Sequence, residues 1–531
     1  MKAERPLWSD ADAAGNRVQT SAMSWGGSVF HLTRTNALRF GFAGVIALAL
    51  LALVGVLIFS GHNREPAANP EGCAGTLTDT GECLGLVTDS ATLDSAIRGV
   101  AEKILTANQE VEKNSQGYVR VVLLTPLSVA RPPAASAMSL DQIKFSLQGA
   151  YTALYRANTS AAFGDKHAPA VQLLLVNQGS RQPDNDSLVK QIVELSEDKK
   201  HPVRAVVGLG SSFQSTEAMA RKLSERKIPM VGAVTSATSF NASAFKTFHS
   251  VSPSNEDYAS ALRDLLAKNS DKLPLQNGVI VYDRNDDPYT RTLNEAFTEV
   301  LKDYVKGNPQ GYHGGTVDSP ATKNVFKSVV TDVCTNVQAQ DLETNVVFFA
   351  GRVADFPHFV DALAERLCGD KPLTVMVGAT GFQLAPEYVD LLDKAKVSVI
   401  WASSADAPSW ILEQPGTPRG FKDFRTRHRD LGFKDEDLND GFSVMYHDAV
   451  ASAMRVIRVA AQSNAVPALE DVQAQFDNLG PASAVRGASG DLWFAQPAPG
   501  DGRARGKVVV YRQLGKTGPR LPANIAPYLI P

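Results

Sequence analysis

Cysteine is scarce in this sequence, with four in 531 residues, and the four are not arranged for metal. Their spacings, C-x9-C for Cys73 and Cys83 and C-x33-C for Cys334 and Cys368, do not resemble paired zinc knuckles, and no histidine stands beside them at ligand spacing. Charge of one sign is also lacking. A formal net charge of −3 leaves no global basic field, so nucleic acid is not implied as a partner. Enzyme signatures are missing too: there is no H-E-x-x-H, no G-x-S-x-G and no G-x-G-x-x-G. Gly515-Lys516-Thr517 has the ending of a phosphate loop, but Val510 stands where the first glycine of that loop is required. The adjacent His447 and Asp448 fit helix packing or capping better than a catalytic pair, and no catalytic residue, metal or cofactor is expected.

What is present is ordinary globular chemistry, 44% hydrophobic and 21% charged, with room for two or three domains. Residues 1–38 carry no sustained apolar period and read as a disordered tail. Phe40 to Phe59 then runs for 20 residues without a charge, the length a helix needs to cross a hydrocarbon core, so residues 39–60 are expected to form one transmembrane helix. Arg34 and Arg39 precede the span and the acidic Glu65, Glu71, Asp79 and Glu82 follow it. That asymmetry puts the amino terminus in the cytoplasm and the main part of the chain outside. An extracytoplasmic location permits disulfides. Cys73 and Cys83 are close in sequence and Cys334 and Cys368 fall in one later region, so two local disulfides fit this location, with all three pairings open in principle.

Residues 61–117 read as a polar linker followed by a helix from Ser90 to Glu112, which could pack on the main domain or serve as a stalk. Beyond it, short β-branched runs alternate with amphipathic stretches. The most informative unit is Val203 to Val207, then a helical stretch from Ser215 to Arg226, then Ile228 to Val231, a βαβ pattern. Parallel strands joined by a crossover helix open both following loops on one sheet edge. Those loops hold Gly208, Gly210, Ser211 and Ser212, and Gly232, Thr235, Ser236 and Thr238, small polar groups suited to an anionic or polar ligand. A second series of strands and helices starts at Gly278, and two α/β lobes enclose a cleft.

The ordered stretches VVLLTPLS, QGAYTALYRAN, AVVGLGSS, IPMVGAVTSATS, FHSVSPSNEDYASAL, GVIVYDRNDDPYTRTL, VVFFAGRVADFPHFVDAL, MYHDAVASAM and VRGASGDLWF resemble a type I periplasmic-binding protein of the branched-chain amino-acid-binding type. The resemblance covers about Tyr118 to Leu514. It implies two Rossmann-like lobes joined by three crossovers: 118–250 with 380–480 as lobe 1, 251–379 with 481–515 as lobe 2, and a tail at 516–531. It also implies a ligand cleft. Ser211 and Ser212 match the family's loop that holds a ligand carboxylate, and Ser236, Ala237 and Thr238 match the loop beside it. Tyr289 falls where the family has a Tyr-Gly pair, here with Thr290 in place of the glycine. Arg352 and Asp355 fall where amino-acid binders carry an acidic residue for the ligand's ammonium, and Arg352 favours an anion there. The expectation is a membrane-tethered binding protein for an amino-acid-like or small anionic ligand. It would serve an ABC permease, or alternatively act as a receptor-like sensor or scaffold with a membrane signalling partner.

Overall fold

The computed structural model describes residues 75–531, apart from 116, 132–134, 165–168, 317–318, 341, 462–465 and 498–499. The expected tail, the membrane span and Cys73 lie outside the described residues. No described helix is long and apolar enough to cross a membrane.

Strands β1 (Thr76–Leu77), β2 (Cys83–Leu86), β3 (Tyr118–Thr125), β4 (Ala170–Asn177), β5 (Val203–Gly208), β6 (Met230–Gly232) and β7 (Phe248–Ser250) form a seven-stranded sheet in the order β1-β2-β4-β3-β5-β6-β7. From β4 to β7 all pairs are parallel, while β2 joins β4 antiparallel. The sequence of β3, YVRVVLLT, is buried everywhere except at Arg120, as a central parallel strand covered on both faces must be. Helices cover both faces. Leu140–Thr159 starts in a capping box between Ser139 and Gln142, and Phe442–Ala460 lies so close to it that a side chain at Gly149 would meet the Ser443 backbone. The helix read as Ser90 to Glu112 runs from Ser95 to Asn114 and packs on this sheet. Its Asn108 amide donates to Leu173 O and accepts from Leu173 N–H, both at 2.8 Å, so the segment is part of the lobe and not a stalk.

The second sheet contains β8 (Gly278–Asp283), β9 (Gln310–Tyr312), β10 (Val346–Ala350), β11 (Leu373–Gly378), β12 (Val397–Ser403), β13 (Val485–Arg486), β14 (Gly490–Trp493) and β15 (Arg505–Leu514), in the order β13-β14-β15-β12-β11-β10-β8-β9. Strand β16 (Tyr528–Leu529) pairs with β15. Three expected boundaries change. Residues 380–403, expected in lobe 1, supply β12 to the second sheet, where Val397–Ser403 is buried throughout between β11 and β15. Within 481–515, expected in lobe 2, β13 and β14 pair onto the end of the second sheet through β15, yet Val485, Leu492, Phe494 and Ala504 pack in the first lobe's core, while Val509 and Tyr511 of β15 pack in the second lobe's. The expected tail 516–531 is folded onto the second lobe, with Ile530 buried against its core.

Cys334, on the helix Lys327–Gln338, is bonded to Cys368, which follows the helix Phe356–Ala364. The pair ties two covering elements of the second lobe together. Cys83 begins β2, and its expected partner falls outside the described residues.

Candidate ligand-binding cleft

Strand order explains where the loops meet. In the first sheet β3 connects to β4 on one side while its other neighbour β5 connects to β6 on the opposite side, so a crevice opens between the carboxyl ends of β3 and β5. In the second sheet β8 and β10 stand in the same relation, since β8 leads to β9 and β10 leads to β11. The loops after β3, β5, β6, β10 and β11, with the first turn of the helix Pro288–Val300 that follows β8, line an interlobe cavity of about 520 Å3. Ser211, Ser212 and Ser236 reach it from the first lobe, and Tyr289 and Arg352 from the second.

The serine loop is built from inside. Gly208, Leu209 and Gly210 have φ of 96°, 62° and 62°, and the buried Gln182 threads the turn they make. Its Oε1 accepts the Ser211 N–H at 2.8 Å, and its Nε2 donates to Leu209 O at 3.2 Å and Thr216 Oγ1 at 3.0 Å. A side chain on Gly210 would collide with that amide. The Ser211 hydroxyl donates to Ala137 O at 3.2 Å, so both of its donors are engaged within the lobe. Ser212 Oγ accepts the Ala237 N–H at 3.3 Å, which couples the two loops and leaves the hydroxyl proton free to donate.

Ala237 and Thr238 do not line the cavity. Ala237 is fully buried, the Thr238 N–H donates to Thr292 Oγ1 at 3.2 Å, and its own hydroxyl is buried without a described partner. The reason is Arg503, which is almost fully buried behind this loop. Its two Nη atoms donate to the carbonyls of Thr235 (3.1 Å), Ser252 (3.0 Å), Ala237 (2.7 Å) and Phe240 (2.9 Å), pinning the loop's backbone against the sheet.

The second lobe departs further from what the resemblance implies. Arg352 Nε donates to Asp287 Oδ2 at 2.7 Å, and its Nη2 reaches across the cleft to Ser212 O at 2.8 Å. Its guanidinium lies 3.8 Å from the Phe213 ring centroid. Arg352 is therefore an interlobe strut whose charge is matched by Asp287, which also caps the helix Pro288–Val300. Its ion-pair partner is Asp287 rather than Asp355. Tyr289 donates its hydroxyl to Gly378 O at 3.0 Å, and burial raises its pKa. Asp355 turns into its own lobe. It accepts from Gly315 N–H at 3.0 Å and Tyr312 OH at 3.3 Å, and burial, with Asp283 adding to it, pushes its pKa up to about 6. It lines a neighbouring cavity of about 370 Å3 that Arg352 also borders. Among the described residues no group of His, Cys, Asp and Glu is arranged to hold a metal ion.

One cleft residue has no counterpart in the sequence reading. Asp440 precedes the helix Phe442–Ala460, lines the cavity, and accepts the Phe442 N–H at 2.9 Å. It forms no ion pair among the described residues. Burial, with Asp141 and Asp437 nearby, pushes its pKa up to about 7. An isolated Asn-Asp-Gly carries only a turn or cap signal, and its approach to the cleft depends on how the long helix is docked.

His447 and Asp448 are structural. Arg156 Nη1 donates to His447 Nε2 at 2.8 Å, so the ring proton is on Nδ1 and is donated to Asp448 at 2.8 Å. Asp448 also accepts the Ser489 N–H at 2.8 Å and hydroxyl at 2.6 Å, anchoring the Gly487-Ala-Ser-Gly490 turn to the helix. These bonds hold its pKa below the usual carboxylate value despite full burial.

No family model matches the chain, and no curated protein matches it in sequence. Solved structures do resemble it. A leucine-binding protein from Thermotoga maritima aligns with a TM-score of 0.51 at 14% identity, covering 74% of this chain and 94% of its own. A branched-chain amino-acid transporter substrate-binding protein from Streptococcus pneumoniae, in complex with isoleucine, aligns at 0.51 and 14% identity, over 78% of this chain and 99% of its own. A solute-binding protein of an ABC transporter from Rhodopseudomonas palustris, in complex with p-hydroxybenzoic acid, gives 0.53 at 13% identity, over 78% and 97%. Two α/β lobes with facing switch-point loops, and this set of structural neighbours, give the chain the fold of the type I periplasmic-binding proteins.

Proposed function

We propose that the chain is an extracytoplasmic binding protein, tethered by a helix at 40–59, whose lobes close on a small amino-acid-like ligand for delivery to an ABC permease. The observation that carries this reading is the convergence of Ser211, Ser212, Ser236, Tyr289 and Arg352, from two lobes, on one cavity. With Arg352 matched by Asp287, the cleft is less suited to a simple anion than the sequence implied. The hydroxyls of Ser212 and Ser236 suit the ligand's carboxylate, and Asp440 suits its ammonium. Ligand binding at Asp440 then favours the ionised carboxylate over the protonated one.

A second reading, a receptor-like sensor or scaffold with a ligand-free cleft, is favoured by a specific observation. The donors of Ser211, the Tyr289 hydroxyl and the Arg352 guanidinium are all engaged by the protein itself. Thermal unfolding against amino acids, aromatic acids and other small organic acids separates the two. A ligand that binds only the folded state adds about 2.7 kcal/mol of stability at a hundredfold excess over its Kd. The transport reading expects a hit that is lost in Ser212→Ala/Ser236→Ala; stability unchanged by every compound would leave the receptor reading standing.

A further inference from the structure

The described structure holds a larger cavity away from the cleft. It occupies about 730 Å3 on the first lobe, where the end of the helix Leu140–Thr159, the helix Phe421–Asp430 and β13 come together, and it shares no lining residue with the cleft. Five cationic side chains line it, Arg156, Lys422, Arg427, Arg455 and Arg486, with Asp423 as the one carboxylate.

The partners of these cations leave much of the charge unmatched. Arg156 is only 7% exposed, yet its one described side-chain hydrogen bond is to the neutral His447, and its Nε and Nη2 make none. Taking a guanidinium out of water without a bonded carboxylate is costly, and burial correspondingly lowers its pKa. Arg455 and Arg486 form no ion pair among the described residues. Lys422 and Arg427 pair with Glu413 at 3.2 Å and Asp430 at 3.4 Å, but these contacts are exposed and weak. Like charges gathered around one concavity repel each other. A bound polyanion relieves that repulsion, and guanidinium forks match tetrahedral oxyanions in particular.

We propose that this pocket binds a phosphate-bearing ligand. Its volume exceeds what a lone phosphate fills, which leaves room for a second phosphoryl group or an organic remainder, and the Phe163 ring, 5.0 Å from the Arg156 guanidinium carbon, supports that arginine from the core side. The phosphate is that of a soluble compound or of a lipid headgroup; both present the same dianionic or monoanionic oxygens to the arginines.

The test is calorimetric titration of the full chain with inorganic pyrophosphate and, separately, with dihexanoyl phosphatidylglycerol below its micelle concentration. Saturable binding of pyrophosphate supports a soluble ligand, and binding of the lipid alone supports a headgroup. In either arm Arg455→Glu/Arg486→Glu should weaken binding by about tenfold or more, because charge-assisted hydrogen bonds are lost and replaced by repulsion. These two side chains are half-buried and exposed with no described ion pair, so the variant should keep the parent's urea midpoint. Ser212→Ala/Ser236→Ala in the cleft should leave the titration unchanged, which separates this pocket from the amino-acid site. Absence of saturable binding to both probes, or an affinity indifferent to the double reversal, overturns the proposal.

Discussion

Asp440 concentrates the chemistry of the cleft in one carboxyl group. In the unfolded chain it titrates near 3.8, and in the folded lobe near 7, because burial disfavours its charge and Asp141 and Asp437 add to that. Between those values the folded state holds a proton that the unfolded state has released. Its contribution to stability is therefore complete below about pH 4 and is lost as pH rises towards 7. Asp440→Asn keeps an acceptor for the Phe442 N–H and has no charge to bury. The expected outcome is a variant whose advantage over the parent grows from pH 4 to 7 and then levels off at roughly 2–4 kcal/mol. Urea unfolding at several pH values checks this. Asp355, raised to about 6, and His249, lowered to about 4 by burial, also bend the parent's profile, but they cancel in the difference. Parallel profiles would mean that Asp440 is ionised at neutral pH and that its surroundings supply a counter-charge.

At the scale of elements, local pattern and long-range pairing separate clearly. The βαβ unit around the serine loop was legible because each part declares itself within a dozen residues: the β-branched run of β5, the amphipathic Gln214–Glu225, and the short β6. Strand β12 was equally apolar, but its place depends on β11 on one side and the distant β15 on the other, and no periodicity encodes that choice. Strand β9, three residues long, is too short to show a period at all. The site divides in the same way. Loops and one helix start that follow legible strands brought Ser211, Ser212, Ser236, Tyr289 and Arg352 to one cavity, whereas Gln182, Arg503 and Asp440 act on it from remote parts of the chain. The bond between Arg352 and Asp287 joins positions 65 residues apart, a pairing no local pattern encodes. The disulfide between Cys334 and Cys368 spans a sequence separation of 34, and it limits the freedom of that loop in the unfolded chain. Replacing both cysteines with alanine should cost roughly 3–4 kcal/mol on the chain-entropy account, read in urea as a lower midpoint for the second lobe's transition.

For the molecule as a whole, the interlobe contacts bear on how the cleft opens. Arg352 stacks on Phe213 and donates to Ser212 O while Asp287 holds it from its own side, and Gln214 Nε2 donates across to Asp286 O at 2.8 Å. These contacts join the two lobes across the cleft, and they use atoms of the very loop expected to meet a carboxylate. A ligand that stabilises closure must therefore add to the strut, whereas one that needs Ser212 O or the Phe213 face must displace it. Arg352→Ala removes one charge-assisted bond across the cleft, on the order of 1.5–3 kcal/mol, and leaves Asp287 in the same lobe largely buried without its cation. A loss of that size is enough to move a two-state equilibrium by a factor of about ten or more. The expected outcome is a larger radius of gyration by small-angle scattering for a fragment of residues 75–531, reversed by any ligand found in the thermal screen. Arg352→Lys should give an intermediate value, because an ammonium keeps the charge but neither the fork nor the stacking plane. An unchanged scattering profile in the alanine variant would assign closure to the Gln214–Asp286 contact and the packing of the crossovers, and would leave Arg352 as a wall of the cleft with no part in holding it shut.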